Sequence, residues 1–290
     1  MPYYSLLPEY VDSIYTASNS FIQIAPQTKS ITLSAISGGG GGGCGGVHNT
    51  TSTIGKTAPA AGGGGGSGYI STSNITTANL LALVGDTSFV SGYEYGLSIT
   101  VGAGGTGDYY QSDSIYGGTA GGGSSINLIK RNASTKAVTN TVSLLSLTNT
   151  GKGGKDGGGV TTASTKINGG AGGAGGYGGR GGRAGYTYNG DTGSANGANG
   201  ASTYDTSVKQ YLFNDANSKI ILGKGGSGGS GFWGGTLEGY GMAPASGEVA
   251  YGGGGAGGIS VGINNENALT NPVSGGDGAS GVVGVRVFYR

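Results

Sequence analysis

The sequence predicts a mainly β and irregular fold: a layered bundle of polyglycine II helices, left-handed with three residues per turn, clasped by short β-strands and without substantial α-helix. Three observations carry this. Glycine supplies 71 of 290 residues. The stretch Gly169–Tyr186, GGAGGAGGYGGRGGRAGY, repeats two glycines and one side-chain-bearing residue, with Ala171, Ala174, Tyr177, Arg180, Arg183 and Tyr186 in phase. Similar glycine runs alternate with short β-like segments along the chain.

A period of three matches neither the helical 3.6 nor the strand 2.0. It matches polyproline II, an extended helix of three residues per turn with no internal hydrogen bonds. One edge of such a helix carries the side chains and the other two are bare backbone. Bare edges let neighbours approach closely enough for sideways N–H···O=C bonds. Ordering a glycine costs on the order of 1–2 kcal/mol of backbone entropy. One isolated run stays unfolded, and only a dense bonded bundle offsets that cost. Collagen is excluded, because glycine takes two places in three and prolines number only 6.

In chain order, residues 1–20 are polar and tyrosine-rich and are read as an N-terminal arm or attachment segment. Residues 21–290 form the glycine-rich domain. Phe21–Ser37 alternates apolar and polar residues and breaks at Pro26, predicting two strands. The second strand runs into Gly38–Gly46, interrupted only by Cys44. Gly62–Gly68 precedes a β-like stretch, and Tyr93–Val101 leads into Gly102–Gly107 and Gly117–Gly123. Ser125–Lys130 and Ala137–Leu147 predict a hairpin around Asn132-Ala133-Ser134. Gly151–Gly159, the central run, a looser Asp191–Tyr204 segment, a strand at Lys219–Leu222, Gly223–Gly235, Gly252–Gly258 and Gly275–Gly281 follow. Val282–Tyr289 closes the chain as a strand, and it is expected to pair with Ile31–Ile36 so that neither edge stays open.

The quoted runs FIQIAPQTKSITLSAISGGGGGG, LSITVGAGGTG, GGTAGGGSS and GDGASGVVGVRVFY resemble the glycine-rich domain of bacteriophage tail proteins. They are similar to the tip adhesins of T-even-like long tail fibres. The extracellular glycine-rich region of anaplastic lymphoma kinase is a more distant likeness, and its disulfides cannot form in a chain with 1 cysteine. The resemblance covers residues 21–290 and implies loops at one end of the bundle that read a host surface. It implies a virion protein made in the host cytoplasm. The partners it implies are a bacterial outer-surface protein or polysaccharide and other tail-fibre or baseplate proteins, with a homotrimer as one assembly.

Composition excludes other classes. Net charge is +1, which leaves no electrostatic footprint for nucleic acid. No apolar run approaches the length of a membrane span, and MPYYSLLPEY lacks the basic and apolar regions of a secretory signal. GAGGTG (Gly102–Gly107) and GKGGSG (Gly223–Gly228) fit G-x-G-x-x-G but arise readily by chance in so glycine-rich a chain. No helix follows either, so no dinucleotide site is expected. Gly55-Lys56-Thr57 lacks the first glycine of a P-loop, since that place is Thr50. Cys44 and His48 lack the further ligands a zinc site needs, and no metal or cofactor is expected. Arg180-Gly-Gly-Arg183 is read as the solvent edge of an outer helix rather than an RNA-binding box.

Carboxylate pairs such as Asp108 with Asp113, or Glu238 with Glu248, keep a glycan depolymerase as an alternative. A purely structural virion protein and an ice-binding protein are the others, and the reading adopted is not an enzyme. The candidate recognition residues are aromatics where glycine runs break: Tyr109, Tyr110, Tyr116, Tyr186, Tyr188, Phe232, Trp233 and Tyr240. Tyr and Trp give contact area at low entropy cost, and flanking Gly, Ser and Asn supply adaptable hydrogen bonds.

Overall fold

The computed structural model describes residues 8–46, 60–108, 117–157, 168–184, 195–229, 243–258 and 274–289. Its strands are β1 (Tyr10–Tyr15), β2 (Asn19–Gln23), β3 (Ser30–Ile36), β4 (Ile70–Thr76), β5 (Tyr93–Thr100), β6 (Ser124–Asn132), β7 (Val138–Leu147), β8 (Ile220–Leu222), β9 (Val249–Tyr251) and β10 (Val282–Phe288). The one α-helix among the described residues, α1 (Thr77–Ala82), is a short appendage capped by the Thr76 hydroxyl. The protein is mainly β with little helix.

Two four-stranded sheets, ordered β1-β10-β3-β4 and β2-β5-β6-β7, pack face to face. Alternation puts Ile31, Leu33 and Ala35 of β3 and Val283 and Val285 of β10 on the inner side of the first sheet. Leu97, Ile99, Ile126, Leu128, Leu145 and Leu147 meet them from the second. The expected pairing of 31–36 with the last strand is present between β3 and β10, with Ile36 opposite Val282 and Ser30 opposite Phe288. The β6–β7 hairpin closes on Asn132, whose Oδ1 accepts the amides of Ser134 and Thr135. Within the stretch read as an arm, residues 10–15 are the edge strand β1, held antiparallel along β10. Asp12 there accepts from both Nε and Nη2 of Arg286.

Each sheet runs directly into glycine segments. We label them g1 (38–46), g2 (60–68), g3 (102–108), g4 (117–123), g5 (150–157), g6 (168–175), g7 (177–184), g8 (195–202), g9 (223–229), g10 (252–258) and g11 (274–281). Successive amides of g1 turn to different neighbours: Gly38 donates to Gly122, Gly39 to Ala279 and Gly40 to Gly66, then Gly41 to Thr119, Gly42 to Gly276 and Gly43 to Gly63. The partner recurs every third residue, as a threefold helix demands. In return g1 accepts from g3 (Gly105 to Gly39), g5 (Gly151 to Gly38) and g10 (Gly255 to Gly40). Six helices therefore surround it. Likewise g2 donates to g5, g7 and g10 and accepts from g1, g6 and g9.

These pairings fix a three-layer hexagonal lattice. One outer layer is g4-g5-g6-g8, the middle layer is g3-g1-g2-g7, and the other outer layer is g11-g10-g9. The polyglycine runs Gly38–Gly43 and Gly62–Gly66 are the two helices with every direction occupied. A methyl at Gly40, Gly41 or Gly42 would come within 2.2, 2.0 or 1.9 Å of a carbonyl oxygen on three different neighbours. Helices at the rim of the lattice have fewer neighbours and take one side chain per triplet: Lys152 and Lys155 on g5 and Ala103 and Thr106 on g3 are exposed. The outlying g8, bonded only to g6 and g7, reads A-N-G-A-N-G.

The central run is not one helix, as its unbroken phase predicts. It folds back at Tyr177, so that g6 and g7 become antiparallel neighbours, with Gly179 donating to Gly173 and Gly182 to Gly170. Tyr177 is fully buried with Ile36, Leu212, Phe213, Leu222 and Val282 on the outer side of the first sheet. That apolar pocket overrides the local repeat. Where strand period changes to lattice period, buried serines mend the mismatch. Ser124 Oγ donates to Ile36 O and accepts from Gly102 N. Ser67 Oγ accepts from Tyr177 N, and Ser37 Oγ bridges Tyr69 N and Asn149 O.

Candidate functional site

The lattice is polar in construction. The g1, g3, g5, g7, g9 and g10 helices run away from the sheets, and g2, g4, g6, g8 and g11 run back toward them. The described ends that flank the connections 47–59, 109–116, 158–167, 185–194 and 259–273 accordingly lie at the bundle pole opposite the sandwich, whereas the connection 230–242 follows the far end of g9 and precedes β9, which pairs with β8. The predicted aromatics Tyr109, Tyr110, Tyr116, Tyr186, Tyr188, Phe232, Trp233 and Tyr240 all fall on these connections, outside the described residues. His48, Asp113 and Glu238 do so as well. Glu248 pairs with Lys209 at 2.6 Å. Arg180 and Arg183 lie half-buried on the outer helix g7.

The described part of this pole holds one titratable constellation. The g1 register sends Gly38 and Gly41 to g4 carbonyls at 122 and 119. Cys44, one turn on, instead donates its amide to Asp156 Oδ1 at 2.8 Å. Asp156 sits in the g5 slot whose lower equivalent, Gly153, abuts the Gly118 carbonyl of g4. Asp108 sits in the g3 slot whose lower equivalent, Gly105, abuts the Thr119 carbonyl. Both carboxyls therefore stand on the extension of the g4 line. The Gly117 amide, at the start of g4, donates to Asp108 Oδ2 at 3.2 Å and to Asp156 Oδ2 at 3.1 Å. Gly117 has φ +80°, a backbone that turns its N–H out of the lattice register and favours glycine.

Burial, and then the Asp108 charge, raise the Asp156 carboxyl above its ordinary range, while the amide of Cys44 opposes this. Burial and the nearby charges of Asp156 and Asp108 push the Cys44 thiol up to about 12, so it is a neutral, weakly nucleophilic group. The ligand-type atoms of Cys44, Asp108 and Asp156 lie within 4.8 Å of one another. Sequence reading linked Asp108 to Asp113 and passed over Asp156. The signal was present, because Asp108 and Asp156 each take a place that the triplet phase reserves for glycine.

The profile of the glycine-rich domain family matches residues 16–288. The chain belongs to this family. The glycine-rich domain thus takes in every strand from β2 to β10 and every lattice helix. Comparison with curated proteins gives no significant match. Among its described residues, no helix is long and apolar enough to cross a membrane.

Proposed function

We propose that this glycine-rich domain is a bacteriophage tail-tip or tail-fibre adhesin, binding a receptor on the bacterial surface through the segments that join its glycine helices. The observation that carries the reading is that the described ends flanking five of those connections, and the g9 end of the sixth, lie at one pole of the bundle. Each leaves a lattice whose peptide groups are fixed by several neighbours, so contact residues would be held apart on a rigid base. Rigid presentation lowers the ordering cost of recognition. Tyr109, Tyr110, Tyr116, Tyr186, Tyr188, Phe232, Trp233 and Tyr240 supply the amphipathic rings such contacts use, toward an outer-membrane protein or a polysaccharide. Tail-fibre or baseplate proteins are the partners proposed for the sandwich end, and the setting is the virion.

The test is adsorption of the purified chain to a panel of bacterial strains. Specific adsorption to some strains, lost when residues 107–117 and 232–241 are replaced by Ser/Gly sequence, is the expected result. Adsorption unchanged by both replacements would overturn the assignment to these connections. No adsorption by the parent chain to any strain, with electron microscopy placing the protein away from the tail tip, would leave a structural virion protein.

A further inference from the structure

We propose that the outward edge of β1 pairs antiparallel with the same edge of a second copy of this chain, joining two four-stranded sheets into one across a twofold axis at Ser13. This does not rest on the adhesin reading. A strand that ends a sheet offers unpaired N–H and C=O groups, and proteins blunt such edges with bulges, charges, proline or a cover. Three of the four edges of the two large sheets are blunted here. The β2 ladder slips between Asn19 and Ile22, and the Asn19 side chain accepts from the Phe21 amide. The β7 ladder slips twice along β6. On β4 the Tyr204 hydroxyl accepts from the Ile70 amide and donates to its carbonyl. The β1 edge has none of these devices. Its six residues keep one register along β10, without proline or lysine. Its one charge, Asp12, is turned back onto Arg286. Tyr10, Val11 and Ile14 are 44%, 41% and 40% exposed.

The ladder decides which groups are free. Tyr289 N donates to Glu9 O, so residue 9 faces β10. Alternation turns Val11, Ser13 and Tyr15 the same way and leaves the amides and carbonyls of Tyr10, Asp12 and Ile14 pointing outward. Among the described residues nothing bonds to them on that side. Two such edges mate where outward residues oppose outward residues and each face meets its own kind. Asp12 lies on the Arg286 face of the sheet, and Tyr15 packs on the core face. A register centred on Asp12 sets two carboxylates opposite one another, which is destabilising. The register centred on Ser13 sets Asp12 opposite Ile14 and Val11 opposite Tyr15 of the second copy, an aliphatic–aromatic cross-strand pair. Registers centred further along pair fewer residues. The edge is therefore complementary to itself. In addition, β1 precedes residue 16, where the family match begins, and none of its residues is buried, so completing the core does not account for it.

The experiment is sedimentation equilibrium on the full chain from about 1 μM to about 1 mM, the range expected of a small interface. Amide hydrogen exchange by NMR is followed over the upper decade of that range. A monomer–dimer equilibrium is expected. With rising concentration the Asp12 and Ile14 amides should slow by up to about tenfold, while those of Val11 and Ser13, already bonded to β10, stay as they are. Ile14→Pro removes an outward amide and puts a ring in its place, a change edge strands accept where the N–H faces solvent. It is expected to weaken the dimer by about tenfold or more. Val11→Lys places a charge on the edge and should do the same, and it is read in its stead if Ile14→Pro does not fold. A chain still monomeric at about 1 mM overturns the proposal. So does a trimer, a dimer that these variants leave intact, or one in which the Asp12 and Ile14 amides gain no protection.

Discussion

The ring of Phe213 lies against the bare Cα of Gly284, where an added methyl would be 2.6 Å from its Cζ and 2.8 Å from Leu212 Cδ2. Phe213 cannot easily retreat. Its backbone is left-handed at φ 61°, its amide donates to Ser34 Oγ, and the Arg286 guanidinium stands 4.7 Å from its ring. Gly284→Ala is therefore an overpacking change, expected to cost about 1–3 kcal/mol in urea unfolding. A cost within experimental error would mean that the 212–214 turn is free to lift off the sheet.

The lattice makes opposite predictions for two glycines on different helices. Gly41→Ala drives a methyl to 2.0 Å from the Thr106 carbonyl, inside a fully surrounded helix. Its expected cost exceeds about 4 kcal/mol, enough to prevent recovery of soluble protein. Gly253→Ala, on the outer helix g10, meets nothing closer than the Lys224 carbonyl at 3.5 Å. It is expected to be neutral or to stabilise by about 0.4–1 kcal/mol through the unfolded chain, read as a melting-temperature rise.

At the strand–lattice junction, Ser124→Ala removes at once the acceptor for Gly102 N and the donor to Ile36 O, both fully enclosed. A loss of about 1–3 kcal/mol is expected, because an orphaned buried group cannot find water. Ser143→Ala, on the partly exposed β7, provides the comparison and should change stability by less than about 0.5 kcal/mol.

Asn199 Oδ1 accepts from Gly181 and Asn196 Oδ1 from Ala184, so g8 closes the flank of g7 with side chains instead of carbonyls. In the double variant Asn196→Ala, Asn199→Ala these amides face solvent rather than a partner. Exchange at Gly181 and Ala184 is expected to quicken about tenfold with a stability loss near about 1 kcal/mol. The g1 and g2 amides should be unaffected.

Stability should fall at both ends of the pH scale, for opposite reasons. The Lys130 and Tyr95 hydrogen bonds hold Asp86 below its ordinary 3.8, and those of Lys136 and Arg131 hold Glu94 below its ordinary 4.5. Depressed acids stabilise the fold above those ordinary values and cease to do so as pH drops through their lower folded ones. Asp156 works the other way and loses its contribution as pH rises. Denaturation midpoints measured in Asp86→Asn should show a shallower acid limb, and those in Asp156→Asn a shallower limb on the other side.

Much of this architecture could be read in advance. Alternation in 30–36 and 282–288 placed two strands, and their junctions with glycine runs paired them correctly. The triplet phase gave the threefold helix. What phase could not give is where a run turns. Tyr177 keeps the period perfectly, and only a distant pocket of Ile36, Leu212 and Val282 makes it a corner. The segment 195–202 looked irregular because glycine is only one residue in three there, although Ala195, Ala198 and Ala201 keep strict phase. Glycine content per triplet proves to report how many sides of a helix are covered, which is a property of the assembled lattice. Asp156 was legible by the same rule, as a charge in a glycine place.

The bonding of g1 also sets an order of events at birth. Its amides and carbonyls between 38 and 43 join residues as distant as 151, 255 and 276. A ribosome delivers those partners long after g1 itself has emerged, and contacts so remote in sequence slow folding. The nascent chain must therefore carry g1 with part of its flank unmated until its final helix appears, and a product cut short before g11 would leave the amides of Gly39 and Gly42 without their acceptors.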